Sequence, residues 1–131
     1  QKLFSNIECH HFGSTENGLV AVEGKLVKGV KIEDAEKAVE AELNKIKNEL
    51  VSEQELQKVK NKTESMIAFE DMSVMNRANS LAYYETLGDA ALMNEELPRY
   101  GKVTAEDIRS EAGKIFREEN SSTIYYLAKG K

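Results

Sequence analysis

The hydrophobic period of the sequence changes at Ile32, and that change limits the folds open to it. After it, Ala35, Val39, Leu43, Ile46 and Leu50 recur in steps of 4, 4, 3 and 4, the stripe of an amphipathic helix. Glu33, Asp34 and Glu36 crowd its first turn, where the positive end of the helix dipole favours them. Before Ile32 the pattern is that of strands. Residues 4–12, FSNIECHHF, alternate imperfectly with a period of two. Leu19 to Val22 form a continuous apolar run, as in a strand covered on both faces. GSTENG between the two runs supplies turn residues, so residues 4–27 are expected as a β-hairpin.

The rest reads as helices until the last few residues. The first helix covers about 32–50. Ser52 followed by Glu55 makes a capping box and starts a second helix, predicted over 53–87 with a bend or break near 71–73. Its buried face is expected from Leu56, Val59, Thr63, Met66, Ile67, Val74, Ala78, Leu81 and Ala82, and Gly88 closes it. A short helix over 89–97 must stop near Pro98, the only proline. Thr104 and Asp107 cap a helix over 105–118 that uses Ile108, Ala112, Ile115 and Phe116. TIYYLA, β-branched and aromatic, predicts a last strand over 122–128. The order is that of a single α+β domain spanning residues 1–131, an antiparallel sheet with helices packed on one face.

Composition narrows the partners. The net charge is −5 and the lysines sit beside glutamates rather than in a basic stripe, which argues against nucleic acid. No stretch nears the ~18 apolar residues of a membrane span. The chain is expected to be soluble, cytoplasmic or periplasmic. One cysteine cannot close an internal disulfide. The opening QKLFSNIE reads as the inside of an element, so a piece of a longer protein is expected, lacking strands that complete its sheet. An exposed sheet edge of that kind favours homo-oligomers.

The strongest chemical signal is ECHHFG, residues 8–13, which gathers the only cysteine and both histidines. Zinc needs three or four ligands converging on one point. On a strand His10 and His11 point to opposite faces, and no second ligand cluster exists to join Cys9 and His11. A plain strand with exposed imidazoles is the better reading. The same divergence separates Cys9 from a base, so nucleophilic catalysis is not supported. The glycines of GSTENG and GKLVKG lack phosphate-loop spacing. Asn61-Lys62-Thr63 and Asn120-Ser121-Ser122 match the glycosylation sequon, the first inside a predicted helix. Of each pair, Tyr83-Tyr84 and Tyr125-Tyr126, one ring is expected in the core and one at the rim. Mixed Glu and Lys, as in AELNKIKNE, make solvated pairs rather than a calcium site. No residue is therefore assigned a catalytic or metal-binding role.

Several phrases in order carry a resemblance. GLVAVEGKLVKGVKIEDAEKAVEAELNKIKNELVSEQELQKVKNKTES, then RANSLAYYETLGD at 77–89, YGKVTAEDIRSEAGKIF at 100–116 and STIYYLAKGK resemble the C-terminal domains of the pitrilysin/insulinase-type zinc metallopeptidases. The resemblance implies a half-domain of that α+β type, paired with others in a clamshell around a peptide-admitting chamber. It implies that zinc and its HxxEH motif belong to an N-terminal part of the parent protein, with no cofactor in this segment. The family's substrate-holding Arg and Tyr normally precede the first strand seen here, so neither is carried over and any substrate contact is unassigned. The implied role is a non-catalytic C-terminal segment of a zinc endopeptidase, forming scaffold and chamber wall for peptide substrates. The alternative is a catalytically silent partner subunit of the same fold. Its partners would be the N-terminal half of the same protein or a homologous subunit.

Overall fold

A computed structural model describes residues 2–14 and 16–127. The expected α+β class is the one observed. The chain divides into two compact units, residues 1–45 and 46–131.

The first unit holds the hairpin. Strand β1, Phe4–Phe12, pairs antiparallel with β2, Leu19–Leu26, from Phe12↔Leu19 through Cys9↔Val22 to Asn6↔Lys25. The register slips between Phe4 and Asn6, where the Ser5 hydroxyl donates to the Lys25 carbonyl at 3.0 Å. Gly24 is required here by space rather than by backbone angle, because a Cβ would lie 2.7 Å from the Phe4 ring. Two-sided burial of β2 does not occur: Leu19 is 64% exposed and Val22 is also exposed. The sheet has only these two strands among the described residues, too few to cover its faces.

Helix α1, Ile32–Asn48, starts in the first unit and ends in the second. Its stripe is as expected: Ala35 is buried, Val39, Leu43 and Ile46 are half-buried, and Leu50 lies beyond the helix and is exposed.

In the second unit the region 53–87 is two helices, α2 (Glu53–Glu70) and α3 (Val74–Thr86). The break falls where expected, and Ser73 explains it. Its backbone is extended, at φ −88° and ψ 121°, and its side chain accepts from the Asn76 N–H, capping α3. Ser52 caps α2 the same way through the Glu55 N–H. Gly88, just past the α3 C-cap, takes φ +111°. The buried faces are narrower than predicted. Leu56, Thr63 and Ile67 are half-buried, but Val59, Met66, Val74, Ala78, Leu81 and Ala82 are exposed. Redirecting the chain at Ser73 turns α3 so that Ser80 and Tyr84, not its aliphatic residues, face inward.

The expected helix over 89–97 is instead a 3-10 turn, Ala90–Glu95, followed by α4, Glu96–Lys102. Pro98 does not stop a helix. It sits in the first turn of α4, where a backbone N–H has no intrahelical partner to lose. Helix α5, Ala105–Ile115, opens on the predicted Thr104–Asp107 capping box, with both reciprocal bonds formed. It ends short of residue 118, which begins a second 3-10 turn, Glu118–Asn120. Ala112 is buried and Ile108 and Phe116 half-buried, while Ile115 is exposed. Lys47, at the end of α1, donates to the Phe116 carbonyl at 3.2 Å, and Lys60 of α2 donates to the Gly101 carbonyl at 2.8 Å.

The predicted last strand is not formed among the described residues: residues 122–127 take neither helix nor strand. Ala128, its predicted last residue, lies outside the described residues.

Candidate functional site

Two constellations bring chemically capable side chains together. The first lies along one face of β1, where residues two apart point the same way. Asn6, Glu8 and His10 share that face, and the Glu8 carboxylate joins them. It accepts from the Asn6 amide at 2.9 Å and lies 3.1 Å from His10 Nε2. The Asn6 amide first, then the imidazole of His10, hold the Glu8 carboxyl below its ordinary range. The His10 ring also approaches Phe12, with centroids 6.1 Å apart. All four residues are exposed.

His11 and Cys9 point to the other face. His11 Nε2 lies beside Gly18, where a Cβ would come within 3.1 Å of it. Cys9 is a free, exposed thiol paired across the ladder with Val22. The two histidines therefore part company, and β1 offers two ligand-type groups to each face, Glu8 and His10 to one and Cys9 and His11 to the other. Among the described residues, no group of three or more His, Cys, Asp or Glu side chains is placed to hold a metal ion. The residues of ECHHFG do not fit the zinc that the resemblance places in the parent protein.

The second constellation is a cleft of about 260 Å³ in the second unit, lined by Tyr84, Leu92, Glu96, Arg99, Tyr100 and Val103. Tyr84 comes from α3 and the charged residues from α4. The Tyr84 hydroxyl donates to Glu96 Oε2 at 2.7 Å, half-buried. That bond, with partial burial and the Glu96 charge behind it, pushes the Tyr84 hydroxyl up to about 12. Arg99 Nη2 donates to Glu95 Oε2 at 2.7 Å, so its charge is answered by the last residue of the preceding 3-10 turn. A phenol held protonated against a carboxylate fixes α3 to α4. It offers no activated nucleophile and no base poised over one.

Of the tyrosine pairs, Tyr84 is half-buried and Tyr83 exposed, in edge-to-face contact at 5.5 Å. Tyr125 and Tyr126 are both exposed, and neither enters a core. Asn61 lies in α2 and accepts from Gln57 Nε2 at 2.8 Å; Asn120 ends the second 3-10 turn. The Tyr84–Glu96 bond was not foreseeable, because nothing in AALMNEEL marks which glutamate meets the tyrosine twelve positions earlier.

No family model matches the sequence, and no curated protein sequence does. Solved structures do match. The inactive peptidase domain of a presumed zinc protease from Bordetella parapertussis superposes with a TM-score of 0.86 at 18% identity, over 99% of this chain and 70% of that one. A presumed zinc protease from Bordetella pertussis Tohama I gives 0.84 at 18% identity, over 98% of this chain and 71% of that one. This chain has the zinc-protease domain fold. A Helicobacter pylori protease shares it with a TM-score of 0.78 at 20% identity, over 90% of this chain and 28% of that one. The zinc-protease fold is thus present without a metal-binding cluster among the described residues. Among those residues no helix is long and apolar enough to cross a membrane.

Proposed function

We propose that the chain is a non-catalytic, C-terminal portion of a pitrilysin-like zinc endopeptidase, serving as scaffold and as a wall of the chamber that receives peptide substrates. One observation carries the reading: nearly the whole chain superposes on a peptidase domain described as inactive. Peptide hydrolysis divides naturally into two tasks. A metal and a general base activate water, while a shaped surface holds an extended peptide and limits solvent. The residues here suit the second task. Zinc, its ligands and the base then belong to an N-terminal part of the parent protein, and the partner of this segment is that part or a homologous subunit.

The likeness to an inactive peptidase domain also favours a second reading: a catalytically silent partner subunit whose parent has no zinc motif at all. One experiment separates the two. Zinc content and cleavage of an unfolded fluorogenic peptide are measured for these 131 residues and for the full-length parent. The catalytic-parent reading expects neither from the segment and both from the parent. A parent that binds no zinc and cleaves nothing leaves the silent subunit. Stoichiometric zinc on the segment itself refutes both readings.

A further inference from the structure

The cleft of Tyr84, Leu92, Glu96, Arg99, Tyr100 and Val103 has binding capacity that the Tyr84–Glu96 bond does not use up. Its volume is about 260 Å³, below the ~300–1,000 Å³ of sites for drug-sized molecules, so it suits a single long side chain. Leu92 and Val103 supply apolar wall, and Tyr84 and Tyr100 supply two aromatic rings. Behind the Glu96 bond, partial burial and the Glu96 charge, Tyr100 also helps to raise the Tyr84 hydroxyl, as expected of phenols that share one wall. Tyr100 is 46% exposed, so a ligand can reach its ring from solvent.

Charge decides the occupant. Glu96 gives Oε2 to the Tyr84 hydroxyl, and among the described residues its Oε1 has no hydrogen-bond partner. Arg99 is already paired with Glu95. Two carboxylates against one guanidinium leave negative charge in excess, beside ring faces that also attract cations. An anion would meet Glu96 directly, and a neutral apolar group would bury its free oxygen without a partner. A cation on an apolar stem meets both demands, with methylenes along Leu92 and Val103 and the head on Glu96 and the rings. Lysine is such a group, a flexible aliphatic stem ending in a compact ammonium. An ammonium also brings fewer donors to satisfy than a guanidinium does.

We infer that this cleft binds a lysine side chain presented by another polypeptide, its ammonium on Glu96 Oε1 and against the Tyr84 and Tyr100 rings. The inference needs only the cleft and not the protease reading, so either can fail alone.

The test is an amide NMR titration of the 131-residue chain, at low salt, with a blocked pentapeptide of one lysine flanked by glycines. Amides of Tyr84, Glu96 and Tyr100 are expected to shift saturably. Acetylating the lysine, or replacing it with norleucine, removes the charge and keeps the stem, and is expected to weaken binding about tenfold. Glu96→Gln and Tyr100→Leu are each expected to weaken the lysine peptide by about the same factor, whereas Tyr100→Phe keeps the ring face and retains binding. The inference is overturned by the absence of saturable shifts, by shifts confined to other parts of the chain, by equal binding of the acetylated peptide, or by undiminished binding to Tyr100→Leu. Putrescine bound at least about tenfold more tightly than the peptide also overturns it, because the ligand would then be a free diamine.

Discussion

Replacing Tyr84 with Phe removes one oxygen and leaves the ring, so it isolates the bond to Glu96. A hydrogen bond to a charged group contributes about 1.5–3 kcal/mol when well shielded. Tyr84 is half-buried rather than enclosed, so solvent competition reduces the expected loss to about 1 kcal/mol. For a domain of this size that is about 4 °C in melting temperature. The pH dependence identifies the source. The hydroxyl's folded value, about 12, lies above the ordinary value of 10.0. Its contribution is therefore complete below pH 10 and is lost as pH rises toward 12. Urea denaturation at pH 8 is expected to show the full difference between the parent and Tyr84→Phe, and the two are expected to converge above pH 10. Tyrosinate absorbance gives a second readout, a titration step near 12 that vanishes in the variant. Equal stability at pH 8, or a difference that does not change with alkali, refutes the argument that this bond ties α3 to α4.

Two further perturbations test local geometry. Thr104→Ala removes the capping hydroxyl of α5 and is expected to cost about 1 kcal/mol in urea denaturation, whereas Thr104→Ser keeps the hydroxyl and most of the stability. The same box holds the Asp107 carboxyl below its ordinary 3.8 through the Thr104 backbone N–H and hydroxyl. Its contribution is therefore present above that value and lost as pH falls through the lower folded one, so first-turn amides of α5 are expected to lose protection in acid, measured by hydrogen exchange. Glycine substitutions are expected to differ in sign. Gly88→Ala places a side chain at φ +111° and costs about 1 kcal/mol. Gly113→Ala, in the interior of α5 with open space around its Cβ, gains roughly 0.5–1 kcal/mol. Paired thermal melts check both.

What the sequence disclosed was what local chemistry decides. The α1 stripe, the Thr104–Asp107 box, the Ser73 break and the left-handed Gly88 each depend on residues within about one turn. Pro98 misled because its effect depends on position within a helix, and the preceding 3-10 turn moved it into a first turn. The inward face of α3 was illegible for a related reason. Val74, Leu81 and Ala82 have helical spacing, but the direction taken after the break turned Tyr84 inward instead. TIYYLA has the composition of a strand, yet residues 122–127 form none, because a strand needs a partner and a partner is a property of the surroundings.

The candidate site makes the same point in a form that can be tested by construction. ECHHFG holds enough ligand-type residues for zinc, and what it lacks is convergence. The ladder register shows how convergence could be supplied. Cys9 faces Val22 and His11 faces Val20 across the hairpin, and directly opposed side chains share a face with Cβ atoms about 5 Å apart. Val20→His together with Val22→His therefore assembles four ligands on one face, a thiolate and three imidazoles, within reach of a tetrahedral ion. Both positions are on a strand whose side chains are half-buried or exposed, so the fold can accept them. Cobalt substitution, read by thiolate charge-transfer absorption, is expected to show binding at least about a hundredfold tighter in the double variant than in the parent. The same two substitutions in a Cys9→Ser background are expected to lose that absorption. Tight binding by the parent chain would mean that Cys9, His10 and His11 converge after all, and the strand geometry on which the non-catalytic reading stands would be wrong.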